Sequence, residues 1–346
     1  MLNLNKKTAV ILLSDGSPDN MDSIDLFLFN VFNDATVTPL IQPFRFLWAK
    51  CKTYQKIASI KGLFSQISDR TALSNAIVAQ AYALEKELSY SGDYKVVIAT
   101  KYAQPSIKDA CQEVRKYDPD QLILLPLYPQ FSAANAGSLI EKILNRMRLE
   151  RGANEKEMAI KLTNSYPQVN NFILSHSLLI QKTIRPYIDK IERLHFLFVA
   201  PGIPERFINQ GDPYISQLKI SVEAVMESVR TTLKINQDQL EYQLCFQPKM
   251  AVADFMKPTL EQKMKRAILQ DKIPVIVPIA STCDSIETKL DLAIKYRDIA
   301  RKFGLSHYLL VPNLNYDGNY IRALVEICQE IDASDKFLLS SENTLK

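Results

Sequence analysis

Residues Pro274–Leu290, PVIVPIASTCDSIETKL, decide how the rest of this 346-residue chain is read. Val275 to Ala280 is a continuous apolar run with the length and β-branched content of a strand buried on both faces. The run breaks at Ser281-Thr282-Cys283-Asp284-Ser285. Ile286, Leu290 and Ile294 then recur at helical spacing, with Ser285 placed as an N-cap. Asp284 and Glu287 therefore stand where a strand gives way to its helix. In open α/β sheets that edge, beyond the carboxyl ends of the strands, is where ligands bind. Carboxylates there also complement the helix dipole, so position alone leaves a stabilising role open beside a functional one.

The same strand-then-helix rhythm runs outward in both directions. Ala9–Leu13, Val96–Ala99, Leu122–Leu125, Phe196–Ala200, Tyr242–Phe246, Val275–Ile279 and Tyr308–Val311 read as strands. Ile77–Leu88, Ser106–Lys116, Ser138–Arg148, Leu218–Leu233 and Ile286–Phe303 read as helices. This alternation predicts βαβ units and mainly parallel sheets. There is also an internal echo. Gly16-Ser17-Pro18-Asp19 follows the first strand and Gly202-Ile203-Pro204-Glu205 the fourth, while Leu125-Pro126 and Val277-Pro278 close corresponding strands. Two similar Rossmann-like α/β halves result, 1–165 and 166–346, with the last helix packing back on the first half. A cleft between them is the expected ligand site.

Composition excludes several classes. Lys+Arg of 42 against Asp+Glu of 38 gives a net charge of +4, too mild to argue for nucleic acid. No stretch approaches the roughly 20 apolar residues of a membrane span, and the N-terminus reads as too short and polar for a signal peptide. The five scattered cysteines lack metal spacing and point to free thiols in a reducing cytoplasm. Walker, GxGxxG, HExxH and nucleophile-elbow motifs are missing. The segment 38–68 interleaves Phe44, Phe46, Leu47 and Trp48 with Arg45, Lys50 and Lys52. It reads either as core-facing amphipathic helix or as an apolar lip that admits a flat ligand and touches a bilayer peripherally.

Several segments, in order and at matching spacing, resemble the ferrochelatase family over most of the chain. Ala9–Phe32 is similar to its first strand, G-x-P turn and helix. Leu125–Ser138, LPLYPQFSAANAGS, resembles LPLYPQYS…TGS, and Phe196–Tyr214, FLFVAPGIPERFINQGDPY, resembles FSAHGLPER…GDPY. Pro278–Thr288 is similar to PIAFxSDHIET, and Thr100-Lys101-Tyr102 to M-R-Y. The resemblance implies a two-half, chelatase-like fold clasping a porphyrin, with Fe2+ inserted into protoporphyrin IX to form haem. It implies Glu287 as proton acceptor or metal ligand, Asp284 as its supporting carboxylate, and Tyr102, Lys101, Tyr128, Ser132, Gly202 and Pro204 at the porphyrin. Fe2+ enters as substrate, and no iron–sulphur cluster is expected, because the tail after Cys328 lacks cysteines. Monomer and homodimer both stay open, and the expected location is cytoplasmic with peripheral membrane contact through 38–68.

The departures fall where the chemistry lies. The His of SAHGLP is Pro201, that of SDHIET is Ser285, the neighbouring Phe is Ser281 and the Arg of M-R-Y is Lys101. In 71–80 only Leu73 and Gln80 match the family's next stretch. Proline has no side-chain base, so Pro201 cannot do what a neutral imidazole does. His176, His195 and His307 are placed as structural or exposed, and Cys283 as a candidate soft ligand or a buried apolar residue. Two other readings follow: a porphyrin- or haem-binding protein that has lost catalysis, and a chelatase for another metal or tetrapyrrole.

Overall fold

The computed structural model describes residues 6–67, 72–149, 158–163, 165–236, 240–247, 256–305 and 308–334. β1 (Lys7–Ser14), β2 (Asp93–Thr100), β3 (Gln121–Pro126) and β4 (Ala159–Leu162) form one sheet in the order β2-β1-β3-β4. β5 (Leu194–Pro201), β6 (Glu241–Gln247), β7 (Ile273–Pro278) and β8 (Leu309–Leu310) form a second in the order β6-β5-β7-β8. Every pairing is parallel. The helices are α1 (Ser23–Phe32), α2 (Phe44–Phe64), α3 (Ala72–Leu88), α4 (Ile107–Tyr117), α5 (Ser138–Leu149), α6 (Asn170–Ile184), α7 (Glu205–Asn209), α8 (Tyr214–Leu233), α9 (Leu260–Leu269), α10 (Tyr296–Lys302) and α11 (Gly318–Ala333). Two π-helical segments, π1 (Ala133–Gly137) and π2 (Glu287–Lys295), each follow the third strand of a sheet. The expected α/β pattern of two similar parallel sheets is therefore present, with β4 added.

The echo in the sequence is an echo in register. Leu13 pairs with Pro126 and Val199 with Pro278. The next amide crosses in the same way, Leu127 N to Leu13 O at 2.9 Å and Ile279 N to Val199 O at 3.1 Å. Past the second strand of each sheet, Thr100 bridges Ser106 and Phe246 bridges Thr259. Ser106 and Thr259 each open a helix with a capping box, closed by Asp109 and Gln262.

Alternation along the strands sorts side chains into layers. Ala9, Ile11 and Leu13 pack with Val114 of α4 and Ile140 and Ile143 of α5, on the outer face of the first sheet. Leu197 and Val199 pack with Met264 of α9 and Tyr296 of α10, outside the second. The opposite strand faces share one core. Val10 and Leu12 belong to the same buried cluster as Phe196 and Phe198, joined through α3, α6, α8 and α11. Each fully buried aliphatic or phenyl group there contributes roughly 1.5–3 kcal/mol, so this common layer fixes the two sheets against each other. At its edge, Asp332 of α11 accepts from Lys6 (2.8 Å), Gln121 (2.8 Å) and Tyr94 (2.9 Å), all in the first sheet or beside it.

Candidate active site

The carboxyl ends of both sheets open onto one cleft. Ser14 and Leu127 come from the first half, Pro201 and Ala280 from the second, and Tyr102, Tyr128, Gln130, Tyr214, Cys283 and Ile286 complete much of its lining. The cavity between these walls is about 80 Å³. One wall is the lip. α1 and α2 pack through Phe27, Leu28, Val31, Phe32 and Phe64 onto Tyr102 and onto Ile286, Leu290 and Ile294 of the second half. Within 38–67 the described side chains face both ways. Ala49 and Phe64 are buried, whereas Ile41 (74% exposed), Phe44 (61%) and Leu47 (61%) face outward.

The halves are stitched across the cleft by side chains on strand-end loops. Ser132 Oγ and Ala133 N both donate to Asp212 Oδ2, at 3.0 and 2.8 Å. Gln130 Nε2 donates to Ser221 Oγ at 2.9 Å, and Thr282 Oγ1 to Leu127 O at 3.1 Å. Gln80, fully buried, donates to the carbonyls of Thr282 (3.1 Å) and Asn315 (2.7 Å). Ile286 N donates to Ser17 Oγ at 3.3 Å, so the first G-x-P turn helps to hold the start of π2.

The stretch that opened the sequence reading folds as strand, loop and helix. Ser285 and Thr288 cap the helix start reciprocally, Ser285 N donating to Thr288 Oγ1 (2.9 Å) and Thr288 N to Ser285 Oγ (3.3 Å). The helix is wider than expected, a π-helix over Glu287–Lys295, a form often found at functional sites. Glu287 is its first residue; its side chain lies outside the described residues, as do the Leu73 side chain and His307. Asp284 lines an adjoining cavity of about 410 Å³ with Asp19 and Gln104 rather than the central cleft. Its carboxylate accepts from Asn313 (2.8 Å) and Asn315 (3.3 Å) and pairs with Lys289 at 2.9 Å. Asp291, four residues beyond Glu287, accepts from Gln247 at 2.7 Å, and burial raises its carboxyl above the ordinary range.

The remaining candidates separate into those at the cleft and those beside it. Tyr102 and Tyr128 line it. Burial, then the charge of the nearby Asp15 carboxylate, hold the Tyr128 hydroxyl well above its usual value. Pro201 lines it too, its carbonyl accepting from Tyr214 OH at 3.0 Å. Lys101 is turned elsewhere. Its amine is 3.3 Å from Asp34 Oδ2, with both side chains all but fully buried. Burial alone would raise the Asp34 carboxyl, but Lys101 and Lys142 outweigh it and hold that group well below the usual carboxylate range. Ser132 is spent on Asp212 and on capping Ala134 N. Gly202 and Pro204 shape the turn between β5 and α7, Gly202 N donating to Gln247 O at 2.9 Å.

Cys283 lines the cleft, but burial, with Asp284 adding to it, pushes its thiol up to about 12. Without a metal beside it the thiol stays protonated near neutral pH. His195 sits at the far end of β5 from Pro201, fully buried beside Gln243 at 2.7 Å. Six residues of strand, roughly 20 Å at 3.3 Å each, separate them. Among the described residues, no group of three or more His, Cys, Asp or Glu side chains is arranged to hold a metal ion. Asp15, in the first turn, is a cleft residue that motif reading passed over; the echo between the two G-x-P turns was the signal for it.

Two parallel sheets with strand-end loops meeting over a cleft define a two-half α/β protein of the chelatase type. A sirohydrochlorin chelatase from Bacillus subtilis subspecies spizizenii shares this fold, with a TM-score of 0.53 at 10% identity over 96% of this chain and 100% of that one. A multi-domain Deinococcus radiodurans protein with structural similarity to chelatases matches at a TM-score of 0.52 and 10% identity, over 96% of this chain and 57% of its own. Sequence goes further than fold. The ferrochelatase family description matches residues 7–331. A ferrochelatase of Rickettsia bellii is 32% identical over 347 aligned residues, covering 99% of this chain and 93% of its own length. One from Wolbachia of Drosophila simulans is 33% identical over 326, covering 93% and 98%. The chain belongs to the ferrochelatase family.

Proposed function

We propose that this protein inserts ferrous iron into protoporphyrin IX to give protohaem. Family membership over nearly the whole chain is the observation that carries this reading. The cleft supports it: aromatic and aliphatic walls from Tyr102, Tyr128, Phe27, Val31 and Ile286 suit the faces of a flat macrocycle. Glu287, at the start of π2, accepts a pyrrole proton or ligates Fe2+ through a hard oxygen. Asp284, fixed by two asparagines and Lys289, holds the loop that presents it. Porphyrin propionates meet Lys142 and Arg146, which line the outer cavity next to Lys101, better than the buried Lys101 amine. The halves divide after residue 165, between β4 and α6. Contact with a bilayer is peripheral and made by the outward side chains of α2.

The test is anaerobic insertion of Fe2+ and of Zn2+ into protoporphyrin by the purified protein. Turnover above the uncatalysed rate that falls about 10²–10⁴-fold in Glu287→Ala is the expected result. Pro201, with no base in its side chain, favours a second reading, a scaffold that binds porphyrin without turning it over. That reading requires porphyrin binding with no insertion by the native chain and insertion gained in Pro201→His.

A further inference from the structure

We infer that Asp15, on the first half, is the catalytic proton acceptor that the Pro201 position no longer provides. This inference rests on the iron-insertion reading above. The register places the two residues in equivalent positions. Leu13 and Val199 pair with Pro126 and Pro278 respectively, and two residues further on each chain are Asp15-Gly16-x-Pro18 and Pro201-Gly202-x-Pro204. Both line the same cleft from opposite halves. A base lost from one turn has a counterpart in the other.

Asp15 is also the one carboxylate among the described residues lining that cleft. The titratable neighbours are poor bases at neutral pH. The Tyr128 hydroxyl and the Cys283 thiol are both held protonated by burial, and tyrosines and thiols in their neutral forms donate rather than accept protons from pyrrole. The Tyr128 hydroxyl lines the same cleft close enough to Asp15 for the carboxylate to raise its pKa, so the two groups are electrostatically linked. The backbone beneath is rigid. Tyr102 N donates to Asp15 O at 3.1 Å, and Gly16, at φ +79°, leaves only 2.8 Å between any added Cβ and the Cβ atoms of Ala103 and Thr100. A side chain on such a turn has a fixed aim.

The chemistry balances without a redox partner. Fe2+ enters as Fe2+ and two pyrrole N–H protons leave; the four nitrogens end bound to iron. Asp15 takes one proton from the macrocycle face turned to the first half. The other goes to the Glu287 side of the cleft, and both pass to solvent before the next turnover.

The experiment compares native protein, Asp15→Asn, Tyr128→Phe and Asp15→Asn/Pro201→His, reading protoporphyrin affinity by fluorescence and Zn2+ and Fe2+ insertion across pH. We expect Asp15→Asn to bind protoporphyrin within about threefold of native while kcat falls about 10²–10⁴-fold and the acid limb of its pH profile disappears. Pro201→His in that background restores part of kcat. Tyr128→Phe, which takes the polar hydroxyl away from beside the charged carboxylate, moves the native acid limb to higher pH. A folded Asp15→Asn that keeps native kcat overturns the inference and leaves iron insertion standing. If Asp15→Asn does not fold, an unmoved acid limb in Tyr128→Phe overturns it. Native protein that inserts neither metal overturns both.

Discussion

His176 is held neutral by its surroundings. It is fully buried on α6, 4.9 Å edge-on from Phe172, and neither ring nitrogen has a hydrogen-bond partner among the described residues. Burial lowers its pKa to about 3, with Asp317 opposing weakly. In the unfolded chain it titrates at its ordinary value of about 6.5, so between those two values the unfolded state binds more protons. Stability contributed by this site is whole above about pH 6.5 and drains away as pH falls below it. His176→Leu should lessen the loss of unfolding free energy between about pH 7 and pH 5 by about 2 kcal/mol. Urea titrations at the two pH values measure this, and equal losses in both proteins would show that another group sets the acid limit. At the same scale, what the sequence made legible was local. Asp284 and Glu287 follow from strand, loop and helix start, and Tyr102 and Tyr128 from following strand ends. The partners of Lys101 and Ser132, Asp34 and Asp212, lie 67 and 80 residues away. No spacing rule pairs residues at such distances.

The elements were read well wherever one periodicity governed them. The apolar runs of β1, β3, β5 and β7 are long enough to stand out, whereas the four residues of β4, Ala159–Leu162, include a lysine and fall below any pattern. The π-helix was invisible for a different reason. A π turn admits an extra residue, so Ile286, Leu290 and Ile294 mark a buried face in either helix type, and all three do pack beneath the lip. α2 kept both readings alive because it has both faces. Its outward side chains give it a measurable property: Phe44 and Leu47 stand exposed, and Lys50 lies over the Phe46 ring. Vesicles with anionic headgroups should sediment the native protein, and Phe44→Glu/Leu47→Glu should stay in the supernatant while retaining its melting temperature. Equal sedimentation of the two would move the contact away from α2.

For the whole molecule, α11 is the closing element. Its carboxylate at Asp332 meets Gln121, 211 residues earlier in the chain. Burial would raise the Asp332 carboxyl, but hydrogen bonds from Lys6, Gln121 and Tyr94 outweigh it and lower the pKa. Its contribution is thus present above the ordinary aspartate range near about pH 4 and lost as pH falls through the lowered native value. Hydrogen bonds to charged groups are worth about 1.5–3 kcal/mol each, so Asp332→Ala should cost at least about 2 kcal/mol at neutral pH. Chemical denaturation measures the loss, and a change within about 0.5 kcal/mol would mean that the apolar face of α11 does the holding alone.

The common core has a consequence for how the chain is made. The first sheet is complete at Leu162, yet the helix that covers part of its inner face ends at Ala333. At about 5–20 residues per second, a ribosome needs on the order of ten seconds or more to supply the missing cover. Throughout that interval the nascent first half presents Val10, Leu12, Ile123 and the inner side of α3 to whatever it meets.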